Sequence, residues 1–378
     1  MVGEWGRSVT QGFVPPIYPY ERLAGARAKA EAFDGGIVDL SIGTPCDPPA
    51  PSVLLALANS NSERGYPPSV GSVALRDAVA RWMERRLGIV IDADDVAACI
   101  GTKEFVGTLP QWLRLRTPER DTVLYPELAY PTYEMGAILA GCRPVAVAVD
   151  DSGRIRLDAI AAEDSARALC LWVNTPGNPA GQLDDLGAAA AWGRHHAVPV
   201  FSDECYIEFT WDGPPRSILH HGAAGVVAVH SLSKRSNLAG LRVGFYAGDP
   251  ELVSYLSEVR KHVGMMVPGP AQAAGVAALD DDGHVDVQRE RYRRRLQDFA
   301  KVLGQLGVDA PQPAGGFYLW APAPEADAWA FAERLAVESG CLVAPGDIFG
   351  AAGDGYLRAA LVQPDDRLAL VAERLGLA

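Results

Sequence analysis

Between residues 95 and 248 the chain repeats one pattern: a short β-branched run, a loop rich in Gly, Pro, Asn or Asp, then a stretch with apolar residues at helical spacing. The runs are "DVAACI" (95–100), "DTVLY" (121–125), "ALCLWV" (168–173), "VPVFS" (198–202), "VVAVH" (226–230) and "VGFYAG" (243–248), and 183–196 is one of the amphipathic stretches between them. Such alternation predicts βαβ units, and so an α/β fold with a mostly parallel sheet. In open sheets of this kind ligands gather beyond the carboxyl ends of the strands. The loops that follow the runs are therefore where chemistry is expected.

After about residue 280 the texture changes. "DDGHVDVQRERYRRRLQDFAKVLGQLG" reads as one long charged helix, its run from Arg289 to Arg295 a solvated face. "GGFYLWA", a helix at 325–339, "CLVAP" and "YLRAALV" then make a smaller α+β unit. The first residues, with Pro15, Pro16 and Pro19, resemble an arm. The expected organisation is 1–46 as arm and part of a small domain, 47–280 as the large domain and 281–378 as the rest of the small domain.

Several function classes are excluded. A net charge of -13 without a basic tract argues against nucleic-acid binding. No GxxxxGK[ST] loop and no HExxH is present, and "GAAGDG" (350–355) lacks the spacing of a dinucleotide fingerprint. The doublets His195-His196 and His220-His221 have no partner ligands at metal-site spacing. Six dispersed cysteines without a CxxC pair point to reduced, mostly buried thiols. "MVGEWGRSVTQGF" has no apolar signal core and no run approaches a membrane span, so a cytoplasmic protein is expected.

Four strand ends carry polar residues in a suggestive order. "CIGTKE" places Gly101, Thr102 and Lys103 at a helix start, and "WVNTPGNPAG" places Asn178. "VFSDECYIEF" places Asp203 and Tyr206, and "HSLSKRSNLAGLRVGF" places Ser231, Lys234 and Arg242. Each has a plain local explanation, since Asp caps turns and Asn-Pro-x-Gly is a turn sequence by itself. Together they suit pyridoxal phosphate. Its aldehyde needs a lysine amine, for which Lys234 is placed. Its ring nitrogen stays protonated beside a buried carboxylate such as Asp203. Asn178 and Tyr206 offer donors to the ring oxygen, and the "GTKE" amides, Ser231 and Arg242 suit the phosphate.

These motifs, together with "SIGTPCDPP", "GYPPSVGSVALRDAVARW", "PELAYPTYE" and "YLRAALV", resemble fold-type I, class I/II pyridoxal-phosphate aminotransferases over nearly the whole chain. More narrowly, "ELAYPTYE", "SDECY", "SLSKRSNLAG" and "RKHVGMMVPGPAQAA" are similar to the N-succinyldiaminopimelate aminotransferases of lysine and cell-wall biosynthesis. The resemblance implies a homodimer whose large domain carries a mostly parallel seven-stranded sheet. It implies that Lys234 bonds the cofactor, Asp203 pairs with the ring nitrogen, Asn178 and Tyr206 hold the ring oxygen and Tyr130 stacks on the ring. Gly101, Thr102, Lys103, Ser231 and Arg242 would hold the phosphate, with Tyr66 reaching the partner subunit's phosphate. Arg358 and the Gly43 backbone, with Asn178, would hold the substrate. Two further carboxylates on so long an acceptor call for more cations, and Lys261, His262, Arg235 and Lys103 are candidates, with Met265 and Met266 as a pocket wall. Open alternatives are another aminotransferase, a lyase or decarboxylase on the same fold, and a non-catalytic regulator that binds the same cofactor.

Overall fold

The computed structural model describes residues 13–377. Residues 1–12, which carry most of the segment expected to lack a signal core, lie outside the described residues. In chain order the first strands are β1 (Val38–Asp39), β2 (Val96–Cys99), β3 (Thr122–Pro126), β4 (Arg143–Val147), β5 (Ala168–Asn174), β6 (Val200–Asp203), β7 (Val226–Ser231) and β8 (Gly244–Gly248). β2 to β8 form one seven-stranded sheet in the order β2-β8-β7-β6-β5-β3-β4. Five adjacent strands, from β4 to β7 in that order, are parallel. All seven residues of β5 are buried, as a strand covered on both faces requires. Separate apolar clusters line the two faces.

Two details depart from the sequence reading. β8 runs antiparallel to both β7 and β2. The connection from β7 holds only the turns Leu232–Arg235 and Ala239–Leu241, so the chain reverses instead of crossing over behind a packed helix. β4 was not among the candidate runs because Pro144 interrupts its pattern. It lies at the sheet edge, where a residue without an N–H is tolerated.

The remaining strands are β9 (Tyr318–Pro322), β10 (Cys341–Leu342), β11 (Ala344–Pro345) and β12 (Tyr356–Ala360). β11, β12 and β9 form an antiparallel sheet, and β1 pairs in parallel with β10. The chain from Pro19 onward is thus docked, with the helix Ala24–Glu31 packed against the helix Ala328–Ser339. The helix Gly283–Gln305 is continuous, but its arginine run is not one solvated face. Helical periodicity turns Arg295 inward, where it donates to Asp47 at 2.6 and 2.9 Å and to Asp365 at 2.6 Å. Arg289 donates to the carbonyls of Glu208 and Thr210 and lies over Trp211. Among the described residues no helix is long and apolar enough to cross a membrane, and no cluster of His, Cys, Asp or Glu could hold a metal.

Candidate active site

The parallel strands β5, β6 and β7 all end at one edge of the large sheet, at Asn174, Asp203 and Ser231. That edge opens into a cavity of about 400 Å³. The helix Thr102–Arg116 starts beside it, the small sheet adds Tyr318 and Arg358, and the segment before β2 adds Tyr18, Tyr20 and Gly43. Lys234 reaches the same space from the helical turn Leu232–Arg235, which Ser231 caps by accepting the Ser233 N–H at 3.1 Å.

The charged groups here are under-partnered. The Lys234 ammonium donates to the Gly43 carbonyl, and burial lowers its pKa to about 8. Asp203 receives the Tyr133 hydroxyl at 2.9 Å and the Cys205 N–H at 3.2 Å, while burial raises its pKa. Both donors are neutral, and among the described residues no cation forms a salt bridge with it. Arg358, 1% exposed, donates to Asn178 Oδ1 at 2.6 Å and to the Ser41 carbonyl at 2.5 Å. It lies 4.4 Å from the ring centroids of both Tyr318 and Phe349, and its Nε has no partner. A buried guanidinium without a carboxylate partner is costly unless a ligand supplies one.

At the other end Gly101 precedes the helix Thr102–Arg116 with φ 71°, and a Cβ there would collide with the Arg242 guanidinium. Arg242, itself in the left-handed region at φ 56°, is held by the Ala239 carbonyl at 2.8 Å. The helix's own Glu104 is neutralised by two 2.7 Å hydrogen bonds from Arg260. The helix start and Arg242 are thereby left free for an anion. The set suits a ligand carrying an electrophilic carbon, a protonated ring nitrogen and a phosphate, with a second anion at Arg358. Residues 36–375 match the family described as aminotransferase class I and II.

The chain belongs to that family.

The family is pyridoxal-phosphate dependent, and Asp203, Arg242 and Arg358, none of them in a salt bridge among the described residues, with the glycine turn at 101 that only a residue without a Cβ can make beside Arg242, fit that cofactor and its substrates. This aminotransferase is 44% identical over 373 residues to "Probable aminotransferase Rv1178" of Mycobacterium tuberculosis, covering 95% of this chain and 85% of the relative. It is 42% identical to the 4-dedimethylamino-4-oxo-anhydrotetracycline transaminase OxyQ of Streptomyces rimosus, over 95% of this chain and 99% of the relative. The LL-diaminopimelate aminotransferase of Aquifex aeolicus is 35% identical, with 96% of each chain covered. Among solved structures, a "probable N-succinyldiaminopimelate aminotransferase" of Thermus thermophilus matches with TM-score 0.83 and 31% identity, over 95% of this chain and all of that one.

The aminotransferase cavity gathers most of the residues singled out in the sequence. Gly43, Thr102, Lys103, Tyr130, Asn178, Asp203, Tyr206, Ser231, Lys234, Arg242 and Arg358 all line it, and Gly101 abuts it through Arg242. Tyr66 does not; it is 98% exposed. Lys261 sits on an exposed helix face paired with Glu258 at 3.4 Å, and His262, Met265 and Met266 are also absent from this chain's cavity lining. Arg235 is a correction. It is 3% exposed and points away from the cavity, donating to Glu208 and Asp282 at 3.0 Å each. It therefore has no reach to a substrate.

Several lining residues were not foreseen. Tyr318 meets the Tyr206 hydroxyl at 2.8 Å, and Asn174 takes the Asn178 N–H at 2.8 Å and donates to the Asp203 carbonyl at 2.9 Å. Asn174 was recoverable, because it is the last residue of the run "ALCLWVN". Tyr18, Tyr20 and Tyr318 had no local signal beyond being aromatic.

Proposed function

We propose that this aminotransferase passes an amino group from L-glutamate to N-succinyl-2-amino-6-oxopimelate, yielding N-succinyl-LL-2,6-diaminopimelate. The observation that carries the reading is a further cation at the cavity, besides Arg358, Arg242 and Lys234. Lys103 Nζ stands 3.2 Å from the Tyr18 hydroxyl and 4.5 Å from its ring centroid, with no carboxylate partner among the described residues. A substrate bound by its α-carboxylate at Arg358 and carrying distal carboxylates would use it. The similarity to proteins named for diaminopimelate and its succinylated form supports this reading. The similarity to OxyQ favours a second one, a bulky cyclic ketone as acceptor.

In the proposed mechanism Arg358 forks onto the α-carboxylate, and the Gly43 carbonyl and Asn178 border the same space. Asp203 would keep a proton on the ring nitrogen, Asn178 and Tyr206 would hold the ring oxygen, and Tyr130 would cover a ring face. The Thr102 and Lys103 amides, Ser231 and Arg242 would take the phosphate, and Tyr66 would serve the cavity of a partner subunit in a homodimer. Bound pyridoxal phosphate supplies an aldehyde that exchanges between amines and a ring that accepts the electron pair left at Cα. Lys234, neutral above about pH 8 because it is buried, would take the Cα proton on Nζ and carry it across the cavity as the general base and acid.

Steady-state assays with glutamate and a panel of acceptors test the proposal. The succinylated oxopimelate should exceed short 2-oxo acids and cyclic ketones in kcat/KM, and Lys103→Met should erase that preference while sparing short acceptors. Equal use of a short 2-oxo acid would remove the narrower claim.

A further inference from the structure

We propose that Tyr133 is the positioning residue for Asp203, setting both the orientation and the proton affinity of that carboxylate; the inference rests on Asp203 facing the cofactor's ring nitrogen. Tyr133 lies in the first turn of the helix Thr132–Leu139 and is 1% exposed. Its hydroxyl donates to Asp203 Oδ2 at 2.9 Å while Oδ1 takes the Cys205 N–H at 3.2 Å. Both oxygens are thus pinned, each by a neutral donor.

The tyrosine is also held rigidly. Its ring packs 5.2 Å from that of Trp172 in β5 and edge-on to Tyr130 at 6.3 Å. The helix that carries it lies so close to its neighbour that a Cβ on Gly136 would stand 2.8 Å from the Val106 carbonyl oxygen. A hydrogen bond to a carboxylate favours the ionised form, whereas burial favours the neutral one. Tyr133 therefore works against the burial of Asp203. Without it the carboxylate becomes more basic and can turn about Cβ–Cγ. The proton shared with the ring nitrogen then shifts toward Asp203, and the ring loses positive charge.

The test is Tyr133→Phe, which keeps the ring and its packing. With the carboxylate no longer held toward the ring nitrogen, pyridoxal phosphate should bind the cofactor-free variant about tenfold more weakly. In the holoenzyme the pH midpoint of the visible absorbance band should rise by about half a unit or more, because a less positive ring holds the neighbouring proton more tightly. The thermal midpoint of the cofactor-free protein should stay near that of the wild type. In an Asp203→Asn background the same change should alter cofactor affinity less than about twofold, since coupled residues are non-additive. Replacing Tyr133 by 3-fluorotyrosine, a stronger donor of the same shape, should move the midpoint down, which keeps the inference testable if the phenylalanine variant folds poorly. A wild-type midpoint and affinity in Tyr133→Phe, or an equal loss in the Asp203→Asn background, overturns it. Failure of the wild-type protein to take up pyridoxal phosphate would instead overturn the functional reading beneath it.

Discussion

Arg358 of β12 and Asn178 of the loop after β5 meet at 2.6 Å, 180 residues apart in sequence. The bond joins the small sheet to the large one at the cavity, so the guanidinium is aimed by both layers. Stacking between Tyr318 and Phe349 leaves it one plane in which to accept a carboxylate.

Arg358→Lys should therefore lose far more than charge would suggest. A lysine keeps the cation but not the planar fork, and the two-point hold on the α-carboxylate disappears. At about 1.5–3 kcal/mol for each hydrogen bond to a charged partner, kcat/KM should fall about tenfold to a hundredfold for every amino donor alike. Steady-state kinetics with glutamate and a neutral amino acid checks this. A loss confined to one donor would show that Arg358 reads the side chain instead.

The lysine sets a pH dependence. Its pKa is lowered from the ordinary 10.5 to about 8, foremost by burial, so the reactive neutral amine dominates only above that value. Capture of added pyridoxal phosphate by the cofactor-free protein should accelerate about tenfold per pH unit below the midpoint and level off above it. Stopped-flow absorbance from pH 6 to 10 measures this. A plateau not reached until near the ordinary lysine value would mean that the amine is solvated.

These two groups were legible because their signals are local. An arginine in "YLRAALV" and a lysine after "HSLS" break apolar runs, and the turn chemistry after each strand is written within a few residues. Tyr133 was not legible, since its partner Asp203 lies 70 positions away and an aromatic at a helix start reads as core. The direction of β8 was also hidden. A strand's composition reports its burial, not which way it runs, and only the short connection from β7 decides that. Arg235 and Arg295 were misread for one reason: the sequence displays charge, whereas burial among Glu208, Asp282, Asp47 and Asp365 needs the assembled fold.

Arg235 accordingly yields a prediction about stability rather than specificity. It and Glu208 are 3% and 4% exposed, and Glu208 also receives Trp82 Nε1 at 2.8 Å. Without Arg235, Glu208 keeps Arg86 at 3.0 Å and Asp282 keeps Arg85 at 2.6 Å, so the loss comes from severed buried hydrogen bonds rather than a stranded charge, and Arg235→Ala should destabilise the protein by about 1–3 kcal/mol. Denaturant unfolding reads the loss. Relative kcat/KM among acceptors should not move; a changed ranking would return Arg235 to the substrate.

The turn at Gly101 separates phosphate binding from everything else in the cavity. Its φ of 71° is strained for any residue with a Cβ, and that Cβ would push into the Arg242 guanidinium. Gly101→Ala should thus displace both the helix start and its arginine, and affinity for pyridoxal phosphate should drop about tenfold or more. Pyridoxal without its phosphate makes neither contact, so its weaker binding should stay within about twofold of the wild-type value. Arg242→Gln should show the same selective loss, because it removes the cation while leaving the glycine turn intact. Equilibrium titration of the three cofactor-free proteins with both compounds decides the matter. Equal weakening toward pyridoxal and its phosphate would mean that the substitution disturbs the lysine end of the cavity, and that the helix start is not where the phosphate rests.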